Sequence, residues 1–426
     1  MKKIGIGIMG LGVVGGGTYE IIRANREAII ASDGIAIEVK KVLELKAERM
    51  DKLNVPAAAR TANLDDLLND GEISIVVETM GGIEPAKSFI LRAFAAGKSV
   101  VTANKELLAK HWAELEKAAK KNGVGLYFEA SCVGGVPIIR ALDLSMQANV
   151  IQQITGIING TTNYILTKMT EDGSDYAAAL KEAQNLGYAE ANPAADVDGW
   201  DAVYKLSILS SIAFNTCVPL DRIYREGITR ISAEDIAYAK EMGYRIKLLA
   251  IGKLNGKKVE AHVHPCLVPE EHPLAGVRNS YNAVYLTGDH VDDLMFYGKG
   301  AGAHPTGSAI VSDIVYCAGQ KKHRYAFFKN DGKLDKGIKF VDDFASKYYI
   351  NVTVLDKAGC LAKVAGVLGR CGVSLEQVLQ KDAKGKDKAV VVYMTHESGE
   401  KAIARAVGII DKLDVVERIN NIIRVI

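Results

Sequence analysis

The sequence predicts an α/β protein: a doubly wound parallel sheet, a second α/β region, and a small C-terminal ferredoxin-like unit. Three observations lead there. Short apolar runs alternate with helical stretches through residues 1–130, the pattern of βαβ units. The turn Gly10-Leu11-Gly12-Val13-Val14-Gly15 follows the first apolar run and opens a helix. From residue 348 the periodicity restarts as β-α-β-β-α-β.

Taken in order, Lys3–Ile8 reads as a strand, Thr18–Ala31 as a helix and Ile37–Leu45 as a strand. A short helix over Asn63–Leu68 precedes the apolar strand Ile73–Glu78. Pro85–Ala96 (helix), Ser99–Thr102 (strand), His111–Lys121 (helix) and Leu126–Glu129 (strand) complete the alternation. Ala177–Leu186 and Trp200–Ala213 carry helical periodicity, and 277–304 is Tyr- and Gly-rich, read as strand and loop. Residues 319–347 are polar and read as a linker. Beyond it come Tyr348–Leu355 (strand), Cys360–Arg370 (helix), Val373–Leu379 and Ala389–Thr395 (strands), a helix near Gly399–Ile409, and Val415–Val425 (strand).

The 426 residues carry 53 Lys+Arg against 51 Asp+Glu, a net charge of +2. That balance gives no reason to expect nucleic acid or an anionic membrane as partner. With 48% hydrophobic and 24% charged residues, the chain has material for several cores. No apolar run nears the ~20 residues of a membrane span. The start Met1-Lys2-Lys3 runs into a Gly-broken apolar stretch, so it reads as a strand rather than a signal peptide. Six scattered cysteines without a CxxC spacing imply reduced thiols and a cytoplasmic location. His262 and His264 fit one face of a strand, and no His pair has zinc-site spacing.

In the glycine turn, Gly10 permits the sharp bend, Gly12 lets backbone approach a pyrophosphate, and Gly15 lets the helix pack on the strand. Val13 and Val14 open the helix, whose N–H groups face the phosphate. This is a Rossmann-type site for NAD or NADP. Glu44, at the end of the second strand, suits ribose hydroxyls; Lys46 and Arg49 suit a 2′-phosphate.

Two further segments are specific. One is Val101-Thr102-Ala103-Asn104-Lys105 at a strand's C-terminal end. The other runs from Ala183 through Gly187-Tyr188-Ala189-Glu190 and Asp198-Gly199-Trp200-Asp201 to Lys205. With Asn159-Gly160-Thr161-Thr162-Asn163-Tyr164, these resemble homoserine dehydrogenases over residues 1–320; Asn192 stands where Asp is usual. The resemblance implies interconversion of L-aspartate 4-semialdehyde and L-homoserine with NAD(P)(H), on the branch toward threonine, isoleucine and methionine. It implies catalytic Lys205, Lys105 and Asp201, and substrate-binding Glu190, Asp201 and Gly187, with Lys105 also at the cofactor. Asp201 and Lys205 stand four apart on a predicted helix, so they share a face; alone they would read as an exposed ion pair.

The same resemblance implies a monovalent cation, commonly sodium, on Glu129 and the carbonyls of Cys132, Gly134 and Val136. It places Gly302, in a second glycine loop, over the cofactor. The implied domains are 1–135 for NAD(P), rejoined by about 303–320, then 136–302 for substrate and dimerisation. The linker 319–347 and a module at 348–426 follow. That module resembles an ACT domain through Asp356-Lys357-Ala358-Gly359-Cys360-Leu361, with Ala358 where proline is usual. It implies an L-threonine effector and a homodimer or homotetramer. Two other readings remain: an aldehyde dehydrogenase using Cys132 as nucleophile, and a sensor that binds NAD(P) without turnover.

Overall fold

The computed structural model describes residues 1–326, 335–382 and 387–426; residues 327–334 of the expected linker lie outside them. By contact the chain divides into two units. The first holds 1–160, 201–223 and 281–338, and the second 161–200, 224–280 and 339–426. The expected boundary at 135/136 therefore falls inside the first unit.

The first unit contains a six-stranded, all-parallel sheet: β1 (Lys2–Met9), β2 (Ile35–Leu43), β3 (Arg60–Thr61), β4 (Ile73–Glu78), β5 (Ser99–Thr102) and β6 (Leu126–Tyr127), in the order β3-β2-β1-β4-β5-β6. β4 and β5 are buried almost throughout, as is β1 beyond its first residues. Such strands read as continuous apolar runs, which made them legible in the sequence. The order reverses between β1 and β4. That is the switch point where open α/β sheets bind ligands, outside the C-terminal strand ends.

Helix α1 (Val13–Ala24) leaves the glycine turn, and a separate helix Arg26–Asp33 follows where one long helix was expected. The helix expected from His111 starts at Lys105 and runs to Asn122, because the Asn104 side chain accepts from the Leu107 N–H and caps it. The strand expected over Leu126–Glu129 ends at Tyr127, and Glu129–Ser131 forms a 3₁₀ turn. Residues 277–304 form an antiparallel hairpin, Tyr281–Gly288 with Asp292–Lys299. The helix Ala303–Gly319 packs back on α1 so tightly that a Cβ on Gly17 would lie 2.2 Å from the Ala303 carbonyl oxygen.

In the second unit two twelve-residue strands, Tyr244–Asn255 and Lys258–Pro269, form a hairpin, of which the sequence showed only the strand face shared by His262 and His264. Its mostly buried strands carry Lys247, His262 and His264 among apolar residues, which hid the strand boundaries. The C-terminal β-α-β-β-α-β unit is present as an antiparallel sheet, ordered Val416–Val425, Ala345–Leu355, Lys388–Thr395, Leu375–Asp382. Its own core gathers Tyr348, Ile350, Val364, Leu368, Tyr393 and Ile403. Its last strand also pairs with Lys258–Pro269, Cys266 opposite Arg424 and Leu267 opposite Val425. Buried Asp235 accepts from Tyr349, Asn351 and Asn421 of the module. The module is thus built into the second unit as well as packed on itself.

Candidate active site

The glycine turn lies at the switch point. Gly10 has φ +89°, and a Cβ there would press on Thr79, whose hydroxyl donates to the Gly10 carbonyl. A Cβ on Gly15 would fall 2.1 Å from the Gly10 oxygen, whereas nothing lies within 4 Å of the Gly12 position. The backbone is therefore tight where helix meets turn and open where a pyrophosphate would approach. Val13, at the first position of α1, is exposed. Gly302, at φ +121°, precedes the helix Ala303–Gly319, so the second glycine loop ends where that helix meets α1.

Glu44 is buried rather than open. Its carboxylate accepts from the Leu11 N–H at 2.8 Å, the Lys46 N–H at 3.0 Å and Arg49 at 3.1 Å. Burial alone would raise its pKa, but these donors hold it below the ordinary value. Glu44 thus braces the glycine turn from the end of β2, while the Arg49 side chain stays 41% exposed.

Lys105, Asp201 and Lys205 come together. Lys205 Nζ donates to Asp201 Oδ2 at 2.7 Å and to the Ile158 carbonyl at 2.8 Å. Lys105 Nζ lies 3.2 Å from Asp201 Oδ1, and Asn159 donates to Oδ2 at 2.9 Å. Asp201 and Lys205 are buried, so the exposed i,i+4 pair is ruled out. Burial alone would push the Asp201 carboxyl up; the two ammoniums and the Lys205 and Asn159 hydrogen bonds outweigh it and hold the group far below the usual range. Asn159 and the Ile158 carbonyl were missed as parts of this cluster, although Asn159 opens a motif that drew notice. Glu190 and Gly187 lie in the second unit, exposed, in the segment after the helix Tyr176–Asn185; Gly187 has φ +75°.

Glu129 is buried, and its oxygens accept from the Ile139 and Arg140 N–H groups. Its own N–H donates to Asp313, which pairs with Arg140. Burial, then Asp313, push the Glu129 carboxyl up to about 7. The Cys132–Val136 loop turns through left-handed Val133 and Gly134. The Cys132 thiol is fully buried, pushed up to about 12 by desolvation, and 4.0 Å from the Lys205 carbonyl. Buried and raised in this way, the thiol lacks the exposure and thiolate character of a nucleophilic cysteine, which weighs against the reading of Cys132 as an aldehyde dehydrogenase nucleophile. A cavity of about 640 Å³ in this unit is lined by residues such as Trp112, Phe128 and Arg140; neither the glycine turn nor the lysine pair lines it.

A phosphate-binding turn at the switch point of a parallel sheet, with two ammoniums on a buried carboxylate in the same unit, defines an NAD(P)-dependent oxidoreductase. Residues 10–129 match the homoserine dehydrogenase NAD binding domain and residues 137–315 the homoserine dehydrogenase family. The homoserine dehydrogenase of Bacillus subtilis strain 168 is 39% identical, covering 100% of this chain and 99% of its own length. That of Neisseria gonorrhoeae is 41% identical, covering 100% and 99%. A crystal structure of a homoserine dehydrogenase from Thiobacillus denitrificans superposes with a TM-score of 0.92 at 39% identity, covering 100% of this chain and 99% of that one. A hyperthermophilic archaeal homoserine dehydrogenase in complex with NADPH matches 74% of this chain and 97% of its own, at 27% identity and a TM-score of 0.62. The chain belongs to the homoserine dehydrogenase family. No described helix is long and apolar enough to cross a membrane.

Proposed function

We propose that this enzyme interconverts L-aspartate 4-semialdehyde and L-homoserine in the cytoplasm, supplying threonine, isoleucine and methionine synthesis. The observation that carries the reading is the cluster of Lys105, Asp201 and Lys205. Bound NAD(P)(H) supplies the hydride donor or acceptor. The glycine turn, Glu44 and the Gly302 loop hold that cofactor. In the reducing direction, Lys205 gives an ammonium proton to the oxygen that becomes the alcohol. Two of its N–H bonds go to Ile158 and Asp201, and the third serves the substrate. Lys105 adds a second positive charge against the developing alkoxide, and Asp201 orients both lysines. Glu190 recognises the α-ammonium group of the amino acid, beside Gly187.

A sodium-like cation fits the donor set of Glu129 with the carbonyls of Cys132, Gly134 and Val136, because a buried carboxylate among hard oxygens gains from a positive charge. Its role is structural. The C-terminal module acts as an ACT domain that binds L-threonine, in a homodimer or homotetramer. Threonine inhibits by favouring one conformational state over another. NAD(P)H absorbance with L-homoserine, both cofactors, and threonine present or absent tests the whole reading. Turnover is expected with inhibition by threonine; cofactor binding without turnover would leave the sensor reading.

A further inference from the structure

Glu78 is the last residue of β4, beside the switch point, and is fully buried. It is paired in register with Met9 of β1 on one side and Thr102 of β5 on the other. A carboxylate placed there needs a reason, because an unneeded buried charge is costly. Its oxygens are well used. One accepts from the Met80 N–H at 2.8 Å and the Gly81 N–H at 3.2 Å. The other accepts from the Thr102 hydroxyl at 2.5 Å.

The bonding continues past Thr102. Its hydroxyl oxygen accepts from the Asn104 N–H at 3.0 Å. The Asn104 side chain donates to the Gly82 carbonyl at 2.7 Å and accepts from the Leu107 N–H at 3.1 Å. Residues 80–82 and 102–107 are thus tied into one network through Glu78 and Asn104. Lys105, the first residue of its helix, lies inside that network and carries the ammonium that meets Asp201. The sequence marked Lys105 as a catalytic lysine and Asn104 only as part of its motif, and did not mark Glu78.

We propose that Glu78 is a positioning residue: through Thr102 and Asn104 it fixes the backbone from which Lys105 reaches Asp201 and the substrate oxygen. This rests on the role given to Lys105 under the proposed function. A hydroxyl donating to a carboxylate fixes the direction of its own lone pairs, so Thr102 is aimed at the Asn104 N–H only while Glu78 accepts its proton. Glu78→Gln keeps the shape but has one acceptor oxygen where two are used, so its NH2 group faces either Thr102 or the Met80 and Gly81 N–H groups. Thr102→Val cuts the same link and leaves the Met80 and Gly81 bonds in place.

The test is a cycle of kcat/KM for L-homoserine over wild type, Glu78→Gln, Lys105→Ala and the double variant, with Tm recorded for each. Because misplacement of a reacting group by about 1 Å costs about 10²-fold, Glu78→Gln is expected to lower kcat/KM by about that factor. Thr102→Val should lower it in the same direction, and it serves alone if Glu78→Gln does not fold. In the Lys105→Ala background neither change should cost anything further. A loss that repeats undiminished without Lys105 overturns the positioning role, as does wild-type kcat/KM in a folded Glu78→Gln or Thr102→Val protein. Wild-type kcat/KM in Lys105→Ala alone instead overturns the role of Lys105 on which the inference stands.

Discussion

Two ion clusters, one in each unit, have opposite stoichiometry. In the first unit one carboxylate, Asp201, serves two ammoniums, Lys105 and Lys205, so the cluster has one positive charge in excess. In the second unit one guanidinium, Arg424, serves two carboxylates, Glu226 and Glu400, and one negative charge is left over. The Lys105 side chain is 42% exposed, whereas that of Arg424 is 5% exposed. Arg424 also donates to the Tyr224 hydroxyl and lies over the Tyr224 and Phe344 rings. Its fork of donors is committed within the protein, and it links strand Val416–Val425 to residues 224–226. The lysine cluster, richer in cations and partly open, is suited to an oxygen that gains negative charge during a reaction. Charge excess and access, rather than the presence of an ion pair, separate a chemical site from a structural tie.

The sharpest way to break this contrast is to remove one cation from each cluster. Lys205→Ala should lower kcat by about 10²–10⁴-fold with cofactor binding retained, measured by steady-state turnover and by NAD(P)H titration. Wild-type kcat in that variant would move the proton-donor role to Lys105. Arg424→Met should do the reverse. It strands two carboxylates, so about 3–5 kcal/mol of stability is expected to go, read from urea unfolding, while kcat of the folded fraction is held.

Shortening the chain sharpens the same point. A protein ending at residue 340 loses the donors to Asp235 and the partner of strand Lys258–Pro269. It should have a lower Tm, stay active, and no longer respond to threonine. A stable, fully threonine-sensitive short form would place the effector outside the module. The archaeal relative, matching only 74% of this chain over 97% of its own, shows that the family fold exists in shorter form.

Acid should weaken the second unit. His262 and His264 are buried in a row, His262 Nδ1 2.8 Å from His264 Nε2, with Cys266, Lys253, Tyr224 and Arg424 around them. Burial, then Lys253 and Arg424, hold His262 down to about 3 from its ordinary 6.5, and His264 also lies well below. The unfolded chain takes up these protons first, so stability falls as pH drops from 6.5 toward about 3. The slope approaches about 1.4 kcal/mol per pH unit for each proton. Urea midpoints at neutral and at mildly acid pH check this, and His262→Gln should flatten the dependence. The smallest effect expected is at Glu44. Glu44→Ala removes the brace on the glycine turn and frees Arg49, so kcat/KM should fall more for NAD than for NADP. An unchanged ratio of the two would confine Glu44 to holding the turn.

Much of the first unit was legible in the sequence. Ile73–Glu78 and Ser99–Thr102 fall where the apolar runs placed them, and Trp200–Ala213 matches its periodicity from end to end. The Lys105–Asn122 helix was read only from His111 because its first turn looks like a strand's polar end until the Asn104 cap is seen. Of the buried hairpin Tyr244–Pro269 only the strand face of His262 and His264 was read, because its polar residues among apolar ones hid where each strand begins and ends.

By itself the sequence determined what depends on neighbours along the chain: the glycine turn after β1, the four-residue spacing of Asp201 and Lys205, and the restart of alternation at residue 348. Only the tertiary structure decided which distant groups share a low-dielectric site. It brought Lys105 and Asn159 to Asp201, turned Glu44 under the glycine turn, buried Cys132 out of reach, and set Glu78 between two strand ends. Spacing along one helix fixes a pair, but charge excess and burial depend on residues some hundred positions apart, and those are fixed only when sheets and helices pack.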